Sequence, residues 1–108
     1  MYDGCAQVVA RQPGEPPSSE TARIEAICEA HLAVELAAMD ALTVMIAQGE
    51  PDRRTFCPPE GFSDAPDPTL QMARAYLAYF DSTPSVRESP DGVAVLGQAL
   101  AEKWPCRR

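Results

Sequence analysis

The sequence offers little from which a metal centre or a catalytic site could be built. It holds a single histidine, His31. Zinc would therefore need that histidine or all four widely spaced thiolates, and no CxxC pair is present to begin such a site. The GxSxG, HExxH, P-loop and GxGxxG patterns are absent, and the carboxylates form no spaced catalytic set. No apolar run reaches the roughly 20 residues that span a bilayer; the stretch from Leu32 to Ile46 is interrupted by Glu35 and Asp40. Strand-type alternation, internal repeats and low-complexity tracts are also missing, which excludes β architectures and solenoids.

Positive charge is scarce as well. Nine Lys and Arg stand against 16 Asp and Glu, for a net charge of −7. That balance argues against nucleic acid and against insertion into or binding to an anionic membrane. It suits a basic partner, or simple solubility.

What is present fits one domain spanning residues 1–108. Forty-five per cent of the 108 residues are hydrophobic, enough for a small core in which crosslinks add useful stability. Residues 1 to 12 lack the charged start and apolar run of a signal peptide. Either the protein is cytosolic, or the leader is gone and Met1, directly before "YDGC", is an added start.

Four helices are expected. Residues 3 to 11 form a short one with Asp3 as N-cap. "RQPGEPPSS" breaks it. Ser18 or Ser19 caps a long second helix running to about Gln48, ended by Gly49 and Pro51. Its residues Ile24, Cys28, Glu35, Met39, Leu42 and Ile46 share one face; Val34, Ala38, Ala41 and Met45 make a second. The C-terminal half thus reads as the central helix of a bundle, with a wetter first half around Arg23, Glu25, Glu29 and His31. Asp67 and Pro68 open a third helix with the stripe Leu70, Ala73, Leu77 and Phe80. Ser89 and Pro90 open a fourth, burying Val93, Leu96, Leu100 and Trp104 until Pro105 stops it. The fold class is an all-α, single-domain bundle of about four helices, one of them short, stapled by two disulfides.

The cysteines are Cys5, Cys28, Cys57 and Cys106. Cys57, in the Pro-rich stretch "RRTFCPPEGFSDAPDP", reads as a reactive thiol, a metal ligand or half of a bridge. Lowering its pKa needs a basic neighbour; Arg53 and Arg54 precede it, and a pair with His31 is open in space. Two disulfides imply an oxidising compartment. Three connectivities are open. Cys57 and Cys106 both adjoin proline outside helices, and Cys5 and Cys28 both lie on helices, which favours 5–28 with 57–106. Glu35, alone on an apolar stripe, is either a buried acid or a residue at a helix margin.

"FCPPEG" (56–61), "YLAYFDSTP" (76–84) and "VLGQALAEKWPC" (95–106) resemble the Tai-type immunity proteins, which neutralise type VI secretion amidase effectors. "CEAHLAVELAAMDAL" is similar to the family's cysteine-bearing helix, without its tyrosine and glycine. The resemblance implies a periplasmic, disulfide-bridged, all-α protein, often dimeric, that binds and blocks a peptidoglycan amidase. It implies a protein that is not an enzyme and needs no cofactor or metal. The competing reading is a helical periplasmic chaperone of the acid-stress type; a cysteine hydrolase is a third.

An inhibitor needs a rigid, protruding element. Two segments qualify: the loop from Glu50 to Pro66, with Arg53, Arg54, Glu60, Asp64 and Phe62 as apolar anchor, and the turn from Ser82 to Pro90, with Arg87 and Glu88.

Overall fold

The computed structural model describes residues 2–11, 21–86 and 91–106. Four α-helices follow one another: α1 (Tyr2–Ala10), α2 (Ala22–Ala47), α3 (Pro68–Ser82) and α4 (Gly92–Lys103). Short 3-10 turns at Phe62–Asp64 and Pro84–Val86 lie between them. There is no strand among the described residues. Both bridges form as the cysteine positions favoured: Cys5 with Cys28 and Cys57 with Cys106, with Cα separations of 5.2 and 5.0 Å.

The helix ends differ from expectation in detail. α1 already includes Tyr2, so Asp3 sits inside the first turn instead of capping it. Ser18 and Ser19 lie outside the described residues; α2 begins after Thr21, whose hydroxyl makes no cap hydrogen bond. Gly49 does end α2, with φ at 95° in the left-handed region open to glycine. Asp67 precedes Pro68 as expected but caps nothing with its side chain. Ser89 and Pro90 fall outside the described residues, and the working cap of α4 is Asp91, whose carboxylate accepts from the Ala94 amide at 3.0 Å.

The larger correction concerns which helix is central. It is α3, not α2: α3 packs against α1, α2 and α4. It buries Met72, Ala73, Ala75 and Tyr76, residues pointing to two sides, as a helix between neighbours must. Of its expected stripe only Ala73 is fully buried. Leu70, Leu77 and Phe80 form a half-buried edge, and the Phe80 ring meets Tyr2 of α1 at 4.4 Å between centroids. On α4 the buried residues are Val95, Leu96, Ala99 and Leu100, while Val93 is exposed and Trp104 half-buried.

α2 is buried on one side only, through Glu25, Cys28, Leu32 and Met39. Its expected second apolar face, Val34, Ala38, Ala41 and Met45, is open to solvent. Four helices in a slab of 46 × 33 × 17 Å do not surround a helix of 26 residues. The first half is the better-packed half, because α1 lies on it. There Glu25, 3% exposed, meets Arg11 at 3.9 Å and accepts from the Thr21 hydroxyl at 3.4 Å. Arg11 also pairs with Glu29 at 3.1 Å. Arg11 thus neutralises a carboxylate whose burial unpaired would be costly.

By length and composition α2 could cross a membrane, with a mean hydropathy of 1.6 over its best 18 residues. Its disulfide to α1, the buried ion pair at its start and its packing on α3 tie one face to the protein body. What remains free is a one-sided apolar seam.

Candidate partner-binding surface

The Glu50–Pro66 loop has little regular structure, yet several contacts fix it. The first is the Phe56 side chain, buried in the core. The second is the Cys57–Cys106 bridge. The third is a backbone hydrogen bond from the Cys57 amide to the Trp104 carbonyl at 2.8 Å, which repeats the tie of the bridge two residues earlier on the partner strand of chain. The fourth is Phe62, whose ring lies 4.9 Å from that of Trp104, tilted by 60°, a spacing and tilt that aromatic pairs prefer. Phe56 also approaches the indole, at 6.4 Å between centroids. Trp104 therefore packs under the loop. Gly61, at φ 78°, makes the left-handed bend that swings Phe62 inward. Farther on, the Ser63 hydroxyl donates to the Asp40 carboxylate of α2.

The charged residues expected to meet a partner divide into three groups. Arg53, Glu60 and Asp64 are exposed and form no side-chain ion pair or hydrogen bond among the described residues. Arg54 instead clamps Asp52 with two parallel bonds, Nε to Oδ1 at 3.1 Å and Nη2 to Oδ2 at 2.8 Å, while its amide donates to the same carboxylate at 3.0 Å. The hydrogen bond to Asp52 raises the guanidinium pKa further above its ordinary value. Arg54 stiffens the loop more than it projects from it. Arg87 and Glu88 lie outside the described residues. Phe62 is no exposed anchor: only 5% of it is accessible, because Trp104 takes its ring. No local pattern announces this, since a loop phenylalanine looks the same whether it points outward or inward.

Two clefts flank this region. One, of ≈ 480 Å³, runs between the loop and the C-terminal half of α2 and is lined by Met39, Asp40, Val44, Pro59 and Glu60. The other, of ≈ 530 Å³, lies between α3 and α4 and is lined by Gln71, Arg74, Tyr79, Glu102, Lys103 and Trp104. Sequence reasoning missed Arg74, Glu102 and Lys103. They flank apolar positions on helix faces, and only the pairing of α3 with α4 brings them together.

As to chemistry, every cysteine is bridged, and a disulfide sulfur cannot serve as a thiolate nucleophile. Cys57 is thus a structural staple. No three His, Cys, Asp or Glu side chains converge as metal ligands among the described residues. Glu35 is half-exposed at the helix margin and not a buried acid. Tyr76, fully buried, has its pKa pushed above the ordinary phenol range by burial first, with Tyr2 nearby adding to it. Comparison with known protein families, with curated proteins and with solved structures returns no match for this chain.

Proposed function

We propose that the chain is a periplasmic immunity protein that binds and blocks a peptidoglycan amidase delivered by type VI secretion. The observation that carries this reading is the unit formed by "FCPPEG" and "KWPC". Phe56, Cys57, Trp104 and Cys106 come together, so the motif residues that resemble the Tai-type proteins are one structural device, and Phe62, just past the motif, packs on the same indole. The device holds a Pro-rich loop rigid and leaves Arg53, Glu60 and Asp64 free on its surface. Rigidity lowers the ordering cost of binding. Two disulfides suit an oxidising compartment, which the bacterial periplasm provides.

The contact surface in this reading is the loop together with the cleft against α2. The test is an enzyme assay. Each amidase encoded beside the gene of this chain is mixed with purified peptidoglycan and increasing amounts of the protein at neutral pH. Inhibition complete at one equivalent supports the reading. Full amidase activity at a large excess of folded protein refutes it.

A second reading, an acid-stress chaperone, is favoured by one observation: the exposed apolar face of α2, of the kind that binds unfolded clients. Such a protein would suppress aggregation of several unrelated clients at low pH, which an immunity protein would not.

A further inference from the structure

The cleft between α3 and α4 is hollow because alanines line it. Ala75 and Ala99 are buried, and Ala78 stands exposed beside them. Its volume of ≈ 530 Å³ lies within the range of small-molecule sites. Two aromatic side chains add apolar surface. Tyr79 is half-buried, and its hydroxyl donates to Oε1 of Gln98 on α4 at 3.3 Å. Trp104, whose ring meets Phe62 at 4.9 Å, also lines the cleft.

The charges are distributed unlike those of the rest of the molecule. Arg74 on α3 and Lys103 on α4 stand on opposite walls. The Tyr79–Gln98 bond fixes the register of the two helices. Arg74 precedes Tyr79 by as many residues as Lys103 follows Gln98, so antiparallel helices set the two cations level. Among the described residues neither forms an ion pair. In a chain of net charge −7, two unpaired cations over an apolar hollow reverse the local sign. Glu102 on the same rim offsets one of them and leaves the cleft with a single net positive charge.

We propose that this cleft binds a small apolar carboxylate. Its apolar body covers Ala75, Ala78 and Ala99 beside Trp104, and its carboxylate lies between Arg74 and Lys103. The guanidinium fork of an arginine matches a carboxylate in shape. One carboxylate balances the single net charge, whereas a divalent phosphate exceeds it and meets Glu102. The walls are helices, whose amides and carbonyls are committed to their own ladders. A peptide laid here would lose hydrogen-bond partners for its main chain, so the occupant is a small molecule without peptide groups. The inference stands apart from the amidase reading, which places its contacts on the loop and against α2.

Trp104 is the sole tryptophan, so its fluorescence reports the cleft directly. The intact, oxidised protein is titrated with octanoate at constant ionic strength and neutral pH. A saturable change in the Trp104 emission is expected, with acetate and inorganic phosphate giving none. The uncharged octanol, of equal chain length, should bind about three- to fivefold more weakly, the range for a solvent-exposed charge pair. Arg74→Gln and Lys103→Gln should each weaken octanoate by about the same factor. Arg23→Gln, on α2, should leave the titration unchanged. Ala78→Leu, at an exposed position, should fill the hollow and abolish the change while far-ultraviolet dichroism stays that of the parent. An emission that does not respond to octanoate overturns the proposal. So does octanol binding as tightly as octanoate, or Arg74→Gln and Lys103→Gln variants that both titrate like the parent. A peptide ending in leucine that binds more tightly than octanoate overturns the choice of a small molecule.

Discussion

The Cβ that Gly4 lacks would stand 1.9 Å from the carbonyl oxygen of Ile24 and 2.7 Å from its carbonyl carbon. Both are backbone atoms, so no side chain can swing aside. The approach of α1 to α2 at this point is what allows Cys5, the next residue, to reach Cys28.

Gly4→Ala is therefore expected to destabilise, although alanine in a helix is ordinarily favoured over glycine by about 1 kcal/mol. Overpacking of this kind costs about 1–3 kcal/mol, and here the obstacle is main chain. Urea denaturation measures it. A variant as stable as the parent, or more so, would mean that α1 does not lie against α2 as described.

Trp104→Ala is expected to cost about 3 kcal/mol, the low end for truncating a large aromatic residue in a core, because the indole is half-buried. The loss should fall on the loop as well. With the ring gone, Phe62 has no aromatic neighbour, and amide exchange in residues 58–64 should quicken. A loss below about 1 kcal/mol, with unchanged exchange, would contradict the packing of Trp104 under the loop.

Tyr76 gives a dependence on alkaline pH. Its folded-state pKa lies above the unfolded value near 10, owing to burial first and to Tyr2 second. The folded form then holds its proton where the unfolded form releases it. The linked stability is present in full below pH ~10 and falls as pH rises through the folded pKa. Unfolding midpoints of the parent should drop above pH ~10, and Tyr76→Phe should flatten that part of the drop. An identical decline in both proteins would mean that another group causes it.

Much of the architecture was legible in the sequence. Helical spacing, the terminator Gly49 and the helix-opening Pro68 sufficed for four helices. The position of each cysteine relative to helix and proline favoured the pairing that forms. The error over α2 has a plain physical origin. Periodicity reports which side chains are apolar, but it cannot say whether enough protein exists to cover them. Val34 and Ala41 looked like core because apolar residues usually are, yet α3 is the helix with neighbours on both sides. Glu25 was misjudged for the converse reason: its burial depends on Arg11, which arrives from a different helix. Phe62 and the α3–α4 cleft depend on tertiary contacts with Trp104 and Lys103 that no local pattern encodes.

The Cys57–Cys106 bridge should also matter quantitatively. It closes a separation of 49 residues, worth about 4 kcal/mol in the chain-entropy model, against about 3.4 kcal/mol for the 23-residue separation of Cys5 and Cys28. Replacing Cys57 and Cys106 by serine should lower stability by about the larger amount in chemical denaturation. An unchanged midpoint would show that Phe56 and Trp104 hold the loop without the bridge.

The central claim is that a rigid, disulfide-pinned loop serves to bind an amidase. The most direct measurement is calorimetric titration of any amidase encoded beside the gene into the oxidised protein and into a folded variant with Arg53, Glu60 and Asp64 all changed to alanine. The account predicts one-to-one binding at nanomolar strength or tighter for the parent, about −12 kcal/mol, and weakening of at least about a hundredfold in the variant. No heat of binding with the parent, or parent and variant binding alike, would contradict it.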